Sequence, residues 1–399
     1  MAVSILSRPP TPPVPPLPAI NARPDWDVFC QVIDNFGDIG VCWRLSRQLA
    51  SEYGLRVRLW VNDLDRFALL CPLLDPTRAI QCLPGIEVHR WETPFPEVAP
   101  APIVLETFAC RIPESFVEAM ARRSPPPVWI NLDYLSAEGW VPGCHTLPSP
   151  HPRLPLVKHF FFPGFTADSG GLLRERDLSA RREQFIAKAD QQHEWWRALG
   201  CTAPSAGSLL FSLFAYENRA ISDLLRAWEV SERPICCLVP TSQTLSAIAR
   251  YAGRSLAVGD VWQRGALEIR VLPFVEQTRY DQLLWLCDLN FVRGEDSFVR
   301  AQWAARPLVW QLYPQQDGAH LAKLEAFLAL YGATLPPDCR VALHSLSTAW
   351  NVGGGETACW QPLAASLPTL RQHARRWAAQ LAEQDDLLSR LLRFARSRL

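Results

Sequence analysis

The chain has 399 residues, enough for two or three domains, and at 48% hydrophobic and 20% charged residues it can bury a full core. Forty basic and forty acidic residues cancel to a net charge of +0, which removes the electrostatic argument for a dedicated nucleic-acid binder. No apolar run reaches the roughly 18–20 residues that cross a bilayer. Twelve cysteines with no C-x-x-C pair are too dilute for a disulfide scaffold, and Cys236-Cys237 inside an apolar run reads as buried free thiols of a reducing, cytoplasmic protein. The histidines form no metal-ligand spacing, so no metal site is expected. Only Lys158, Lys188 and Lys323 are lysines, leaving 37 arginines, a bias we ascribe to genomic base composition.

Residues 1–24 hold eight prolines and read as a disordered, partly polyproline II extension rather than a secretory signal. Trp26 to Ile33 reads as a strand and Asn35 to Gly40 as a turn. A helix follows, with Val41, Leu45 and Leu49 on one face and Gly54 as its stop. Arg56–Val61, Ile103–Leu105 and Val128–Leu132 continue a parallel sheet. The stretch Trp140 to Asp168, rich in Pro, Gly and His, reads as loop. A second alternating series begins near Ser208. Its strands are Leu209–Phe214, Ile235–Val239, Ile269–Phe274, Leu289–Val292 and Pro307–Leu312, with helices between them. The pattern predicts an α/β chain of two Rossmann-like units: an N-terminal domain over 25–190 and a C-terminal domain over 205–368. An amphipathic helix over 369–399 is expected to pack back on the N-terminal domain. Ligands of such sheets bind at the carboxyl ends of the strands, here in the cleft between the two units.

Two turns carry the chemistry. In Asp34-Asn35-Phe36-Gly37-Asp38-Ile39-Gly40, two carboxylates bracket a glycine turn between strand and helix, placed to pair with a cation or accept a proton. The structural alternative is a turn whose Asp38 caps the helix. The third glycine of a dinucleotide fingerprint is missing. In Phe291-Val292-Arg293-Gly294-Glu295-Asp296-Ser297, a strand ends in a glycine turn and a helix begins near Ser297. The free N–H groups and positive end of a helix suit a diphosphate, with Glu295 and Asp296 beside it for sugar hydroxyls. Capping is again the alternative, and Arg293 either neutralises phosphate or pairs with a neighbouring acid. Phe214, Tyr216, Phe274 and Phe291 lie near the same edge, where one aromatic ring could stack a nucleobase. His320 opens a helix and is either a phosphate contact or a solvated or core histidine.

The run Trp26-Asp27-Val28-Phe29-Cys30-Gln31-Val32-Ile33-Asp34-Asn35-Phe36-Gly37-Asp38-Ile39-Gly40-Val41-Cys42-Trp43-Arg44-Leu45 resembles the bacterial protein-arginine rhamnosyltransferases that modify elongation factor P, the EarP family. So do Pro273-Phe274-Val275-Glu276-Gln277 with Tyr280-Asp281, the stretch from Cys287 to Ser297, and Tyr313-Pro314-Gln315 with His320-Leu321. The resemblance spans about residues 26–399. It implies a GT-B fold and an inverting transfer of L-rhamnose, without a cofactor or metal, from dTDP-β-L-rhamnose as co-substrate. The acceptor it implies is one arginine on the first domain of elongation factor P, which is thereby activated to rescue ribosomes stalled at polyproline. By this resemblance Asp38 is the general base, Asp34 the second essential acid, and Glu295 a further catalytic acid. Arg293, Glu295, Asp296 and Ser297 contact the diphosphate and rhamnose, Phe274 and Gln277 the base, and Phe214 and Tyr216 flank the donor. Asn35, Phe36 and Gly37 form the acceptor-side turn. The alternatives are a GT-B transferase with a small-molecule or lipopolysaccharide acceptor and a non-catalytic nucleotide-sugar-binding protein. No direct nucleic-acid or membrane partner is expected.

Overall fold

The structure is a computed structural model that describes residues 23–33, 36–315 and 318–399. The proline-rich extension up to residue 22, and Asp34 and Asn35 of the first turn, lie outside the described residues.

The first sheet contains β1 (Trp26–Cys30), β2 (Val57–Val61), β3 (Ile80–Leu83), β4 (Ile86–Arg90), β5 (Ile103–Thr107), β6 (Val128–Leu132), β7 (Pro148–Pro150) and β8 (Val157–Phe161). Their order is β3-β4-β2-β1-β5-β6-β8-β7. The six inner strands are parallel, and β3 and β7 close the edges antiparallel. Trp26 of β1 pairs with Val57 on one side and Ile103 on the other. All five residues of β1, β2, β5 and β6 are buried, including the polar Asp27, Arg58, Glu106, Thr107 and Asn131 within otherwise apolar runs, as strands covered by helices on both faces are.

The second sheet contains β9 (Leu209–Leu213), β10 (Ile235–Pro240), β11 (Val261–Arg264), β12 (Leu267–Leu272), β13 (Leu289–Arg293) and β14 (Leu308–Gln311), in the order β11-β12-β10-β9-β13-β14. Again only the edge strand β11 runs antiparallel. This is the expected GT-B arrangement of two Rossmann-like units. Strand order reverses on either side of β1 in the first sheet and of β9 in the second. The segments that leave β1, β9 and β13 therefore emerge at the crevices where open parallel sheets take their ligands.

The helix after β1, Gly37–Tyr53, ends as its sequence predicts: Gly54 adopts φ 66° and its N–H closes on the Ala50 and Leu49 carbonyls. Two expectations are corrected. The stretch 140–168 is not all loop but contains a short helix (Val141–Cys144) and the β7–β8 ribbon. The helix expected over 369–399 is two helices, Glu356–Ala382 and Leu387–Arg396. The longer one begins 13 residues earlier than expected and packs mainly on the second unit, its Trp360 ring against Phe211 and Trp228, while its Trp377 ring lies 5.9 Å from Phe165 of the first. The shorter one reaches the first unit too, where the Leu387 N–H donates to the Leu172 carbonyl at 2.9 Å and the Phe394 ring meets Phe161. All twelve cysteines are free thiols. Among the described residues no helix is long and apolar enough to cross a membrane.

Candidate active site

The first candidate turn leaves β1 at Cys30 and enters the helix at Gly37. Asp38 is only 2% exposed, and its Oδ2 accepts the Ile33 N–H at 2.8 Å. Asp38 is thus in the first helical turn and ties down the chain leaving β1, while Phe36 occupies the cap position with no side-chain bond. The acidic group sits at the positive end of a helix, which favours its anion.

The second turn leaves β13 at Arg293. Gly294 takes φ 59°, a left-handed conformation that a side chain would strain. The next helix is Asp296–Ala304 with Glu295 at its cap position, so neither Asp296 nor Ser297 serves as the cap. The Ser297 hydroxyl instead bridges the turn, accepting the Arg293 N–H at 3.0 Å and donating to the Arg293 carbonyl. Glu295 points across to the first unit, where its Oε1 accepts the Leu135 N–H at 2.8 Å. Burial pushes the Glu295 carboxyl up to about 7; the negative charges of Asp38 and Asp133 add to this, and Lys323 and the Leu135 hydrogen bond oppose it. A carboxyl poised near neutrality is suited to proton transfer.

Two cavities open on either side of Gly37, which lines both. The first encloses about 580 Å³ between the units. Phe36 and Leu70 come from the N-terminal unit, and Phe214, Phe274, Gln277, Tyr280, Arg293, Asp296 and Ser297 from the C-terminal one. The Arg293 guanidinium lies 4.4 Å from the Phe214 ring centre and 4.6 Å from that of Tyr216, and Nη1 is 3.4 Å from Gln243 Oε1. Two aromatic faces hold this planar fork in place, and its geometry suits a phosphate. Phe274 and Phe36 meet across the seam at 5.0 Å with their planes tilted by 46°, and either ring offers an apolar face to a base. The second cavity encloses about 940 Å³ and is lined by Asp38, Tyr134, Glu295, Tyr313, His320 and Lys323. Its two carboxyls and three aromatic rings, Tyr134, Trp310 and Tyr313, are groups that suit a cation, and it already holds one in Lys323, 5.5 Å from the Tyr134 ring centre.

The expected residues divide between these cavities. Phe36, Phe214, Phe274, Gln277, Arg293, Asp296 and Ser297 line the first, Asp38 and Glu295 the second, and Gly37 both. Tyr216 lines neither but backs Arg293 and packs on Tyr313 at 5.5 Å. Phe291 is the exception. It is fully buried inside β13 with its ring against Trp228 and Trp350, in the core rather than at the donor edge. Asp34 and Asn35 cannot be placed, since they lie outside the described residues. His320 reaches the second cavity, with its Nδ1 accepting the Gln315 N–H at 3.1 Å. Sequence reasoning missed Tyr134, Lys323, Gln243 and Arg44. Tyr134 follows the carboxyl end of β6, and Lys323 is one of only three lysines in the chain, but neither belongs to a motif. No group of three His, Cys, Asp or Glu with metal-ligand geometry occurs among the described residues.

Relatives of this chain carry a consistent description. The family described as "Elongation-Factor P (EF-P) rhamnosyltransferase EarP" matches residues 26–396. A protein-arginine rhamnosyltransferase of Pseudomonas aeruginosa is 50% identical over 370 residues, covering 92% of this chain and 98% of that protein. One from Neisseria meningitidis is 35% identical over 387 residues, covering 92% of this chain and 96% of that protein. A solved structure, described as the structural basis for EarP-mediated arginine glycosylation of translation elongation factor EF-P, is 38% identical with a TM-score of 0.66. It covers 94% of this chain and 99% of that one. With the two-unit fold, the two cavities and relatives that align almost end to end, this chain belongs to the EF-P rhamnosyltransferase EarP family.

Proposed function

We propose that this chain transfers L-rhamnose from dTDP-β-L-rhamnose to one arginine side chain of translation elongation factor P, inverting the anomeric centre, and so activates the factor for ribosomes stalled at polyproline. The observation that carries the reading is the pair of cavities meeting at Gly37. An aromatic and arginine-lined one suits a nucleoside diphosphate, and an acid-lined one suits a guanidinium. In this reading residues 25–190 are the acceptor side and 205–368 the donor side. A translation factor as acceptor puts the enzyme in the cytoplasm.

A guanidinium, with pKa above about 12, is a poor nucleophile until its charge is held and a proton removed. Asp38, with Asp34 as its partner acid, grips the acceptor guanidinium and takes the proton as the nitrogen attacks C1. The new N–C1 bond forms as the C1–O bond to the diphosphate breaks, so dTDP leaves with the electron pair. Arg293 and the start of the Asp296–Ala304 helix neutralise the charge that develops there. Glu295 lies between, close enough for its charge to be felt by Asp38. Nothing in this displacement requires a metal or a cofactor.

Intact-protein mass spectrometry of elongation factor P incubated with the enzyme and dTDP-β-L-rhamnose is expected to show one added deoxyhexose. Asp38→Asn should slow transfer by about 10²–10⁴-fold and leave the dTDP affinity within about twofold. An active Asp38→Asn enzyme would remove Asp38 as the base. A wild-type enzyme that transfers rhamnose, with release of dTDP, to small acceptors but never to the factor would support a small-molecule transferase instead.

A further inference from the structure

The catalytic cavity exists only because two helices from different units lie side by side, and the contact between them is incomplete. Helix Gly37–Tyr53 carries Asp38 at its start and helix Asp296–Ala304 follows Glu295 directly. They meet at Gly40, where an added Cβ would lie 3.1 Å from Asp296 Oδ2 and 3.2 Å from Asp296 Cβ. Across this glycine, Gln277 Nε2 donates to the Gly40 carbonyl at 2.9 Å and to Asp296 Oδ2 at 3.2 Å. One helical turn on from Gly40, and so on the same face, Arg44 is fully buried. Its Nε and Nη2 donate to the two Glu175 oxygens, each at 2.6 Å. Its third nitrogen, Nη1, stands 3.7 Å from Asp296 Oδ1, beyond hydrogen-bond distance. Among the described residues both atoms are buried without a hydrogen-bond partner. A buried donor and a buried acceptor that face each other unbonded are costly, and a shift of about 1 Å would join them at a charge-assisted distance.

We propose that Arg44 is a positioning residue that latches the two units, its Nη1 closing onto Asp296 Oδ1 in the reacting arrangement and so setting the gap between Asp38 and Glu295. The latch rests on the transferase reading above. It fixes geometry rather than ground-state binding, because Arg44 lies outside the donor cavity and its Nη1 forms an ion pair with Asp296 Oδ1 at 3.7 Å without a hydrogen bond. Its loss therefore belongs in kcat. Misplacing reacting groups by about 1 Å can cost roughly 100-fold. Lysine cannot replace this arginine, since a point charge serves one carboxylate where the guanidinium fork spans Glu175 and Asp296.

Two variants test the latch from opposite sides. Arg44→Lys keeps the buried charge but not the fork. Gly40→Ala keeps every charge, favours the helix through its higher helix propensity, and pushes the two helices apart at Asp296. Each is expected to lower kcat for rhamnosylation by at least about tenfold, and for Arg44→Lys, whose side chain lies outside the donor cavity, the dTDP Kd measured by calorimetry changes by no more than about twofold. If either variant keeps the wild-type kcat, or Arg44→Lys loses dTDP affinity in parallel with kcat, the latch is overturned. A melting temperature equal to or above wild type for Gly40→Ala separates the effect from misfolding. Wild-type enzyme, run alongside with elongation factor P, keeps the two ideas apart: failure to transfer at all sinks the function, whereas normal transfer by both variants sinks only the latch.

Discussion

Glu295 is held against its own chemistry. An exposed glutamate titrates near 4.3, whereas burial between the units raises this one to about 7. Between those two values the folded chain keeps a proton that the unfolded chain has released, so stability falls as pH rises through the window and the full cost is reached above about 7. Glu295→Gln keeps an oxygen to accept the Leu135 N–H and never ionises. The variant should therefore melt about 2–3 °C above wild type at pH 8, with the gain shrinking toward zero near pH 5. Calorimetric melts across that range check it, and a difference independent of pH would contradict the raised carboxyl. The residues around this group show what a sequence discloses at this scale. Asp38, Arg293 and Ser297 were legible because glycine turns after apolar runs mark the carboxyl ends of strands, where side chains are presented to ligands. Phe291 was misplaced because its place near the turn was read as the strand's mouth, whereas it lies mid-strand in β13 with its ring turned onto Trp228 and Trp350 of the covering helices. Tyr134 and Lys323 lacked any such marker, since their role depends on two units coming together.

At the scale of elements, the parallel strands and the helices between them were legible because both faces of each sheet are covered, so the strands read as predominantly apolar runs with few polar interruptions such as Asp27 and Arg58. The edges were not. In β7, Pro148-Ser149-Pro150, two prolines are tolerated only because an edge strand has ladder positions to spare. In β8, only Phe161 is buried, while Val157 is exposed and the residues between are half-buried. The C-terminal region was read as one helix because its amphipathic pattern continues across the break. The break itself is signalled by Asp386, whose Oδ1 accepts the N–H groups of Leu388 and Ser389 at 3.0 and 3.1 Å. This cap starts the helix that crosses to the first unit, where Ser389 meets the Tyr53 hydroxyl at 3.1 Å. Asp386→Ala should cost about 1 kcal/mol in urea unfolding, while Asp386→Asn, which keeps the accepting oxygen, should cost only a fraction of that. Tyr53 ends the helix that Asp38 begins, some four turns away, so kcat for transfer should hold in both variants. An alanine variant as stable as wild type would show that the crossing needs no cap.

At the scale of the whole molecule, the donor cavity belongs to neither unit alone. The second unit supplies Arg293, Gln277 and the aromatic pair Phe214 and Phe274, but the first supplies Phe36, whose ring lies 5.0 Å from Phe274. If the nucleotide sits here as proposed, its binding energy is drawn partly from a residue of the first unit, and occupancy of the cavity should stabilise the seam as well as the pocket. At about 100 times its Kd, dTDP should stabilise the chain by about 2.7 kcal/mol. An aromatic contact of this kind contributes about 0.5–1.5 kcal/mol, so Phe36→Ala should weaken dTDP by up to about tenfold. At the same dTDP concentration its stabilisation should then fall short of wild type by about 1.4 kcal/mol. This behaviour is opposite to that of Arg44, where kcat falls and nucleotide affinity holds. Titration calorimetry with thermal melts in the presence and absence of dTDP separates the two contacts across the same seam. An unchanged dTDP affinity in Phe36→Ala would mean that the second unit binds the nucleotide unaided, leaving the Gly40–Asp296 contact and the Glu295–Leu135 hydrogen bond to couple donor and acceptor sides.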